Sequence, residues 1–379
     1  MTGGDPSAVA GRPSRDAARA HLEALAGAAR PAGGAAEARA RDHCARTLRA
    51  LGYAVAERPF EYSALPGRFG TPLGGVVSII ALTVAGHVGY NGAPGTSLAV
   101  LVGAAAALLA GGVWMARRGV LTAPLLRARG VNLEARRGAG EPRLWLVAHL
   151  DSKSQPVSIA VRALGVSLSV VAWCAALVLA ALQLAGRAGG TAWPSVSLLG
   201  MVAGLPVALS VVGSRSPGAL DNASGVATVL LTAATLPPSA PVGVLLTSAE
   251  ELGLAGARAW VAARGARGGV ALNCDGVDDD GRVMCMYTRR PPRRLLDAVA
   301  RAARALGAPD PRPRRLLPGI LTDGVALADG GWEAITVSRG NVRTLLRIHG
   351  RRDSLAALDG RGVAETGALL AEAATALLL

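Results

Sequence analysis

The sequence predicts an α/β protein, a mixed β-sheet flanked by helices, interrupted by two transmembrane helical hairpins. Three observations predict it. Short β-type apolar runs alternate with longer Ala/Leu/Arg-rich helix-type runs in the hydrophilic parts of the chain. Four apolar stretches reach membrane length without one Asp, Glu, Lys or Arg. Acids and histidines fall where the strand-like runs end, the positions at which an α/β sheet carries its chemistry.

Taken in chain order, Met1 to Ala20 is polar and small and lacks the apolar region of a cleaved signal peptide. A helix over Ala35 to Leu51 is stopped by Gly52, and a strand-like run follows from Tyr53 to Glu61. The apolar stretches Leu73–Tyr90 and Ser97–Ala116 are joined by Asn91 to Thr96 into a first hairpin. Strands are expected over Val131 to Arg136 and Leu144 to Ala148. Leu164–Leu184 and Ser195–Gly213 form the second hairpin through Ala185 to Pro194. Each of the four stretches meets the roughly 17–25 residues a helix needs to cross a bilayer. Beyond them, helix-type runs at Gly225–Thr235, Leu252–Ala263, Arg293–Leu306 and Gly362–Leu379 alternate with strand-type runs. Those strands are Val242–Thr247, Val270–Cys274, Val283–Tyr287 and Ala334–Val337, with a further strand-like Arg343–Ile348. Pro309 to Pro318 reads as an irregular connection.

The domain organisation is therefore expected to be 1–72 as the N-terminal part of one α/β domain, 73–116 as hairpin one and 117–163 as further strands. Hairpin two occupies 164–213, and 214–379 carries the main part of the domain. Two hairpins leave all the hydrophilic sequence on one side of the bilayer. Arg58, Arg68, Arg117, Arg118, Arg127, Arg129, Lys153 and Arg162 flank the spans on that side, against Arg187 alone on the other. The positive-inside rule makes the protein an integral, multi-pass cell-membrane protein with its hydrophilic domain in the cytoplasm.

A hydrophobic content of 51% with 17% charge is too apolar for an ordinary soluble protein. The net charge of +14 is scattered arginine with 3% aromatics and no stacking platform, so nucleic acid is not a partner. Cys44, Cys174, Cys274 and Cys285 show no CxxC spacing and suggest neither a disulfide framework nor a thiolate metal site. His87, near the end of its span, is the one ionisable side chain within the four stretches, which argues against a transporter or channel.

Five residues in one chain order read as ligands of a two-metal hydrolase: His149, Asp221, Glu251, Asp275 and His349. His149 and Asp151 end the run Leu144 to Ala148, where one can bind a metal and the other steer it. Asp221, before Ala223, Ser224 and Gly225, is either a helix N-cap or the bridging carboxylate of a two-ion site. Glu250 and Glu251 follow the strand Val242–Thr247, one as ligand and the other as general base, or both as acids at a helix start. Asp275 repeats the pattern after Val270–Cys274, while Asp278 to Asp280 read as a solvated turn. His349 follows Arg343 to Ile348, and Asp353 suits the cap of a following helix.

These segments resemble the two-zinc aminopeptidase family, which includes bacterial leucine aminopeptidases and has glutamate carboxypeptidases and glutaminyl cyclases as relatives. The resemblance lies in HLDS at His149–Ser152, GALDNASGVA at Gly218–Ala227, TSAEELGLAGARAW at Thr247–Trp260, NCDG at Asn273–Gly276 and IHGRRDS at Ile348–Ser354. It covers most of Arg136 to Leu379 outside the second hairpin. The resemblance implies a zinc exopeptidase-like fold, two Zn2+ per chain and a peptide substrate. It also implies that Asp221 bridges the ions, that His149 and Asp275 complete one, and that Glu251 and His349 complete the other. Glu250 would be the general acid/base, taking a proton from a water shared by the ions, with Asp151 orienting His149 and a cis peptide between Asp221 and Asn222.

Three departures stand out. The second hairpin lies between His149 and Asp221, which the family usually separates by about a dozen residues, so the site is expected to open near the headgroups of the lipid bilayer. Ile348 stands where a tyrosine often precedes the last histidine, and the family's Ser-Asp-His segment is Thr322-Asp323-Gly324, leaving Asp323 as a support residue. The functional expectation is a membrane-embedded zinc aminopeptidase. The alternatives are a catalytically inactive membrane scaffold of the same fold and a single-zinc, glutaminyl cyclase-like acyltransferase.

Overall fold

The computed structural model describes residues 13–265, 268–317 and 319–379. Met1 to Arg12, which include most of the stretch read for a signal peptide, and Pro318, at the end of the Pro/Arg connection, lie outside the described residues. The chain divides into two compact units, one formed by residues 1–62, 127–154 and 214–379, the other by 63–126 and 155–213.

The first unit is built on an eight-stranded mixed sheet. Its strands are β1 (Ala54–Ser63), β2 (Arg127–Arg137), β3 (Leu144–His149), β4 (Val242–Thr247), β5 (Val270–Val277), β6 (Arg282–Tyr287), β7 (Arg312–Arg315) and β8 (Glu333–Gly340). They run in the order β1-β2-β4-β3-β5-β8-β6-β7. The four central strands β4, β3, β5 and β8 are mutually parallel, whereas β2 joins β4 and β6 joins β8 antiparallel. β3 and β4 are buried along their whole length, as parallel strands covered on both faces must be.

Alternation along β3 shows the two covered faces. Leu144, Leu146 and Ala148 enter the main core with the helices Ser224–Thr235 and Arg361–Leu378, while Trp145 and Val147 enter a smaller core with Trp260 and Trp332. Burying a side chain such as Leu146 contributes roughly 2 kcal/mol, so the sheet's position rests on these two apolar layers.

The structure departs from the sequence reading at several places. Leu252 does not start a helix. A tight turn at Glu250–Leu252 is followed by left-handed Gly253 and Leu254, and the helix runs Ala255–Arg264. Arg343–Ile348 is not a strand either; a helix spans Val342–Arg347, started by a reciprocal capping box between Asn341 and Thr344. Within the Pro/Arg connection, Arg312–Arg315 forms β7 at the edge of the sheet, where Pro313, with no N–H to give, is tolerated. Asp278 and Asp279 are not a solvated turn: both are buried, Asp278 accepting from Thr344 and Arg347, and Asp279 from the backbone amides of Asp359 and Gly362.

Two N-terminal helices, Arg15–Leu25 and Ala35–Ala50, pack on this unit, and His21 of the first lies 3.0 Å from His43 of the second. Burial, and then the neighbouring His43, push the pKa of His21 down from 6.5 to about 4. The unfolded chain therefore binds a proton that the folded chain refuses. The stability so gained is complete above pH 6.5 and is lost as the pH falls towards 4, by up to about 3 kcal/mol. Thermal melts between pH 7 and pH 4.5 are expected to show a shallower acid loss in His21→Leu than in the parent, and equal slopes would refute this origin.

The second unit consists of helices Leu65–Tyr90, Pro94–Trp114 (continuing through a wide turn to Thr122), Ile159–Leu184 and Trp193–Ala208 (entered through a tight helical turn from Gly190). All four are long and apolar enough to cross a membrane. All four begin earlier than the sequence reading placed them, and the last ends at Ala208 rather than Gly213. Helix Leu65–Tyr90 packs closely on Trp193–Ala208; a Cβ on Gly75 would lie 2.5 Å from the amide nitrogen of Ala208. Inside the unit Trp173 donates to Ser78 (2.6 Å) and Trp193 donates to Gln183 (2.8 Å). The outward faces carry apolar side chains such as Leu109 and Val202.

Candidate metal centre

All seven residues singled out by sequence meet at the C-terminal ends of the central parallel strands, within the first unit. His149 is the last residue of β3, Asp275 lies in β5, and Glu250 and Glu251 occupy the turn after β4. Asp221 belongs to the irregular turn before the helix Ser224–Thr235, and His349 follows the helix Val342–Arg347 with a left-handed φ of 62°. That conformation costs a β-carbon-bearing residue on the order of 1 kcal/mol and is held by its surroundings.

The carboxylate of Asp221 lies between the two imidazoles. Its Oδ1 is 3.1 Å from His149 Nε2 and its Oδ2 is 3.0 Å from His349 Nε2. Around His149 Nε2 are also Asp275 Oδ1 at 3.5 Å and Glu250 Oε2 at 3.9 Å. Glu251 Oε1 lies 3.7 Å from His349 Nε2. Two groups of donor atoms result, His149/Glu250/Asp275 and Asp221/Glu251/His349, each with its atoms within 4.8 Å of one another.

Asp151 meets His149, as the resemblance implied, but chiefly through its backbone. The nearer acceptor for His149 Nδ1 is the backbone carbonyl of Asp151, at 3.1 Å, with its Oδ1 at 3.7 Å. The Asp151 carboxylate instead accepts from the backbone amides of Glu250 (3.0 Å) and Glu251 (3.2 Å). It thereby fixes the turn carrying both glutamates, and these two bonds hold the backbone away from the helix expected there.

The Asp221 turn is fastened on all sides. Its peptide bond to Asn222 is cis, as the resemblance implied. Asn222 donates to the Cys274 carbonyl (2.9 Å) and accepts from the amides of Gly225 and Gly276 (3.0 Å each), tying the turn to the strand of Asp275. Gly225 is required for that approach, because a Cβ there would lie 2.1 Å from Asn222 Oδ1. Asp353 is not a helix cap; its carboxylate accepts from the amides of Leu220 (2.5 Å) and Asp221 (3.2 Å). Burial pushes its pKa up to about 7. Asp323 is fully buried against the Thr247 hydroxyl at the end of β4, and burial raises it to about 7 as well.

Two site residues escaped the sequence reading. Arg30, 1% exposed, donates to the carbonyls of Leu25, Leu150, Pro217 and Gly218 at 2.7–2.9 Å, so it joins the loop after β3 to the Asp221 turn. Nothing local marks it among so many arginines. Lys153 forms an ion pair with Glu251 Oε2, and its signal was present: it is the one lysine among 40 Lys and Arg residues.

The electrostatics follow from this crowding. Burial disfavours a charged His149, but Glu250, Asp151, Asp221 and Asp275 outweigh it and raise its pKa well above the ordinary value. Burial acts to raise Asp221, yet the two histidines hold it well below the usual carboxylate range. Glu250 is pushed well up by burial and by Glu251, Asp275 and Asp323, against the lowering effect of His149. Burial also raises Glu251, opposed by Lys153.

Such a concentration of buried acid fits divalent cations. Glu251 Oε1 is buried without a hydrogen-bond donor, and imidazole nitrogens with carboxylate oxygens are the donor set zinc accepts.

A mixed sheet that carries paired imidazole–carboxylate clusters at the ends of its parallel strands defines a metallopeptidase-type fold. The chain belongs to peptidase family M28, whose model matches residues 131–374. Solved structures share the fold. The aminopeptidase from Aneurinibacillus sp. strain AM-1 superposes with a TM-score of 0.61 at 13% identity, over 97% of this chain and 95% of that one. The zinc aminopeptidase BSAP from Bacillus subtilis gives 0.56 at 14% identity, over 95% and 94%. The glutaminyl cyclase from Fimbriiglobus ruber gives 0.55 at 14% identity, over 96% and 95%. No curated protein sequence matches the chain.

Proposed function

We propose that this protein is a membrane-embedded exopeptidase, an aminopeptidase, that holds two zinc ions and hydrolyses peptides. The observation that carries the reading is the Asp221 carboxylate, with one oxygen directed at each of two histidines 3.1 and 3.0 Å away. In this reading His149 and Asp275 hold one ion, Glu251 and His349 hold the other, and Asp221 serves both. The bound ions would supply Lewis acidity to the scissile carbonyl and to the attacking water. Glu250, kept in place by the hydrogen bond its backbone amide donates to the Asp151 carboxylate, takes the water's proton at its own carboxylate and delivers it to the leaving amine. Asp151 positions both glutamates at once. The four apolar helices and the arginine-rich flanks support an integral, multi-pass protein with the peptidase unit on the cytoplasmic side.

Glutaminyl cyclase-like acyl transfer is the second reading, favoured by a likeness to cyclase structures as close as that to BSAP. The deciding experiment uses protein extracted from membranes in detergent. About two zinc ions per chain and release of N-terminal residues from peptides are expected. About one ion with cyclisation of N-terminal glutamine would give the second reading, and no zinc with no turnover would leave a scaffold.

A further inference from the structure

Arginine supplies the positive charge of this chain everywhere but one place, Lys153. Lys153 stands two residues beyond Asp151, its side chain is 18% exposed, and its ammonium is paired with Glu251 Oε2. The two cations are not interchangeable. A guanidinium is a broad planar fork, whereas an ammonium is a compact point charge that can sit against one carboxylate oxygen.

That oxygen belongs to a candidate metal ligand. The other oxygen of Glu251, Oε1, faces His349 and is buried with no hydrogen-bond donor. Glu251 is thus divided, one oxygen committed to Lys153 and one left free. The opposite half of the centre has no equivalent. Among the described residues, neither Glu250 nor Asp275 forms an ion pair with lysine or arginine; His149 is the partner of both.

We infer that Lys153 is a resident counter-charge that makes the two cation positions unequal, weakening the Asp221/Glu251/His349 position relative to the His149/Asp275 position. The inference rests on the two-ion reading proposed above. Two arrangements are open to Lys153 when a cation arrives, and both act in the same direction. If it stays, Glu251 offers one oxygen instead of two, and a positive charge remains beside the incoming dication. If it swings away, the Lys153–Glu251 pair must first be broken. The ion held by His149 and Asp275 is then the permanent one, and the ion at Glu251 and His349 exchanges with the surroundings. Occupancy of the two-ion state therefore follows the free concentration of zinc or a similar divalent cation.

The test is zinc titration of the metal-stripped, full-length protein in detergent, in competition with a chromophoric chelator, with circular dichroism to verify folding. The parent is expected to bind in two separable steps, with His349→Ala removing the weaker one. In Lys153→Met, which keeps length and loses charge, the weaker step tightens by about tenfold or more and the tighter step moves far less. Lys153→Arg retains a weak second step, and Lys153→Gln replaces the methionine variant if that fails to fold. A parent that binds one ion and a methionine variant that binds two would also support the inference. An unchanged weaker step, or equal tightening of both, would overturn it while leaving the two-ion reading intact. Absence of zinc from parent and variants alike would overturn both.

Discussion

Asp221→Ala is expected to strip the protein of both zinc ions and to abolish peptidase activity. The reason is geometric: the two oxygens of this one carboxylate face the two imidazoles, so its loss removes a ligand from both positions at once. A residue that merely supports a ligand costs roughly 10–100-fold in metal affinity, and a ligand shared by two ions should cost more. The fold should survive. The turn is held by Asn222, by the amides of Leu220 and Asp221 on Asp353, and by Arg30 on Gly218, none of which involves the Asp221 side chain. Elemental analysis beside a thermal melt checks the expectation. Two retained ions would show that Asp221 is not the bridge, and a collapsed melt without zinc would require the same measurement on Asp221→Asn.

Glu250→Gln is expected to do the opposite, keeping both ions and losing the chemistry. Glutamine preserves the volume and most of the polarity of the buried side chain, and the backbone amide still donates to Asp151. It cannot accept the proton that the reaction must remove. The turnover number should fall by about 10²–10⁴ with little change in KM. The measurement also settles an ambiguity of the geometry, since Glu250 Oε2 lies in the same donor group as His149 and Asp275. Zinc content that falls in Glu250→Gln would make Glu250 a ligand, and full activity would remove it from the mechanism.

Much of the fold was legible because the signals are local. The strand Val242–Thr247 was read to the residue, and the helices after Ser224, Arg293 and Arg361 to within one residue at their starts, because apolar runs and periodicities need only neighbours. The helix Val342–Arg347 was missed although its capping signal, Asn341 with Thr344, was in view; the run Arg343–Ile348, with apolar Leu345, Leu346 and Ile348, suggested a strand. The turn at Glu250–Leu252 was missed for another reason. It is held by Asp151 from about 100 residues away, so a local reading continued the helix back into it.

The sequence by itself determined the apolar spans, the alternation of strands and helices, and the types and order of the imidazole and carboxylate residues at strand ends. Each is a property of a short stretch of chain. Tertiary structure alone decided how those residues are oriented and tuned. Asp353 became a brace for the Leu220 amide 133 residues away, Arg30 a staple reaching 188 residues to Gly218, and Lys153 the partner of one oxygen of Glu251. Burial and unpaired charge are properties of the packed whole: a side chain acquires its desolvation and its neighbours only when distant segments meet, and no local pattern records which segments those will be.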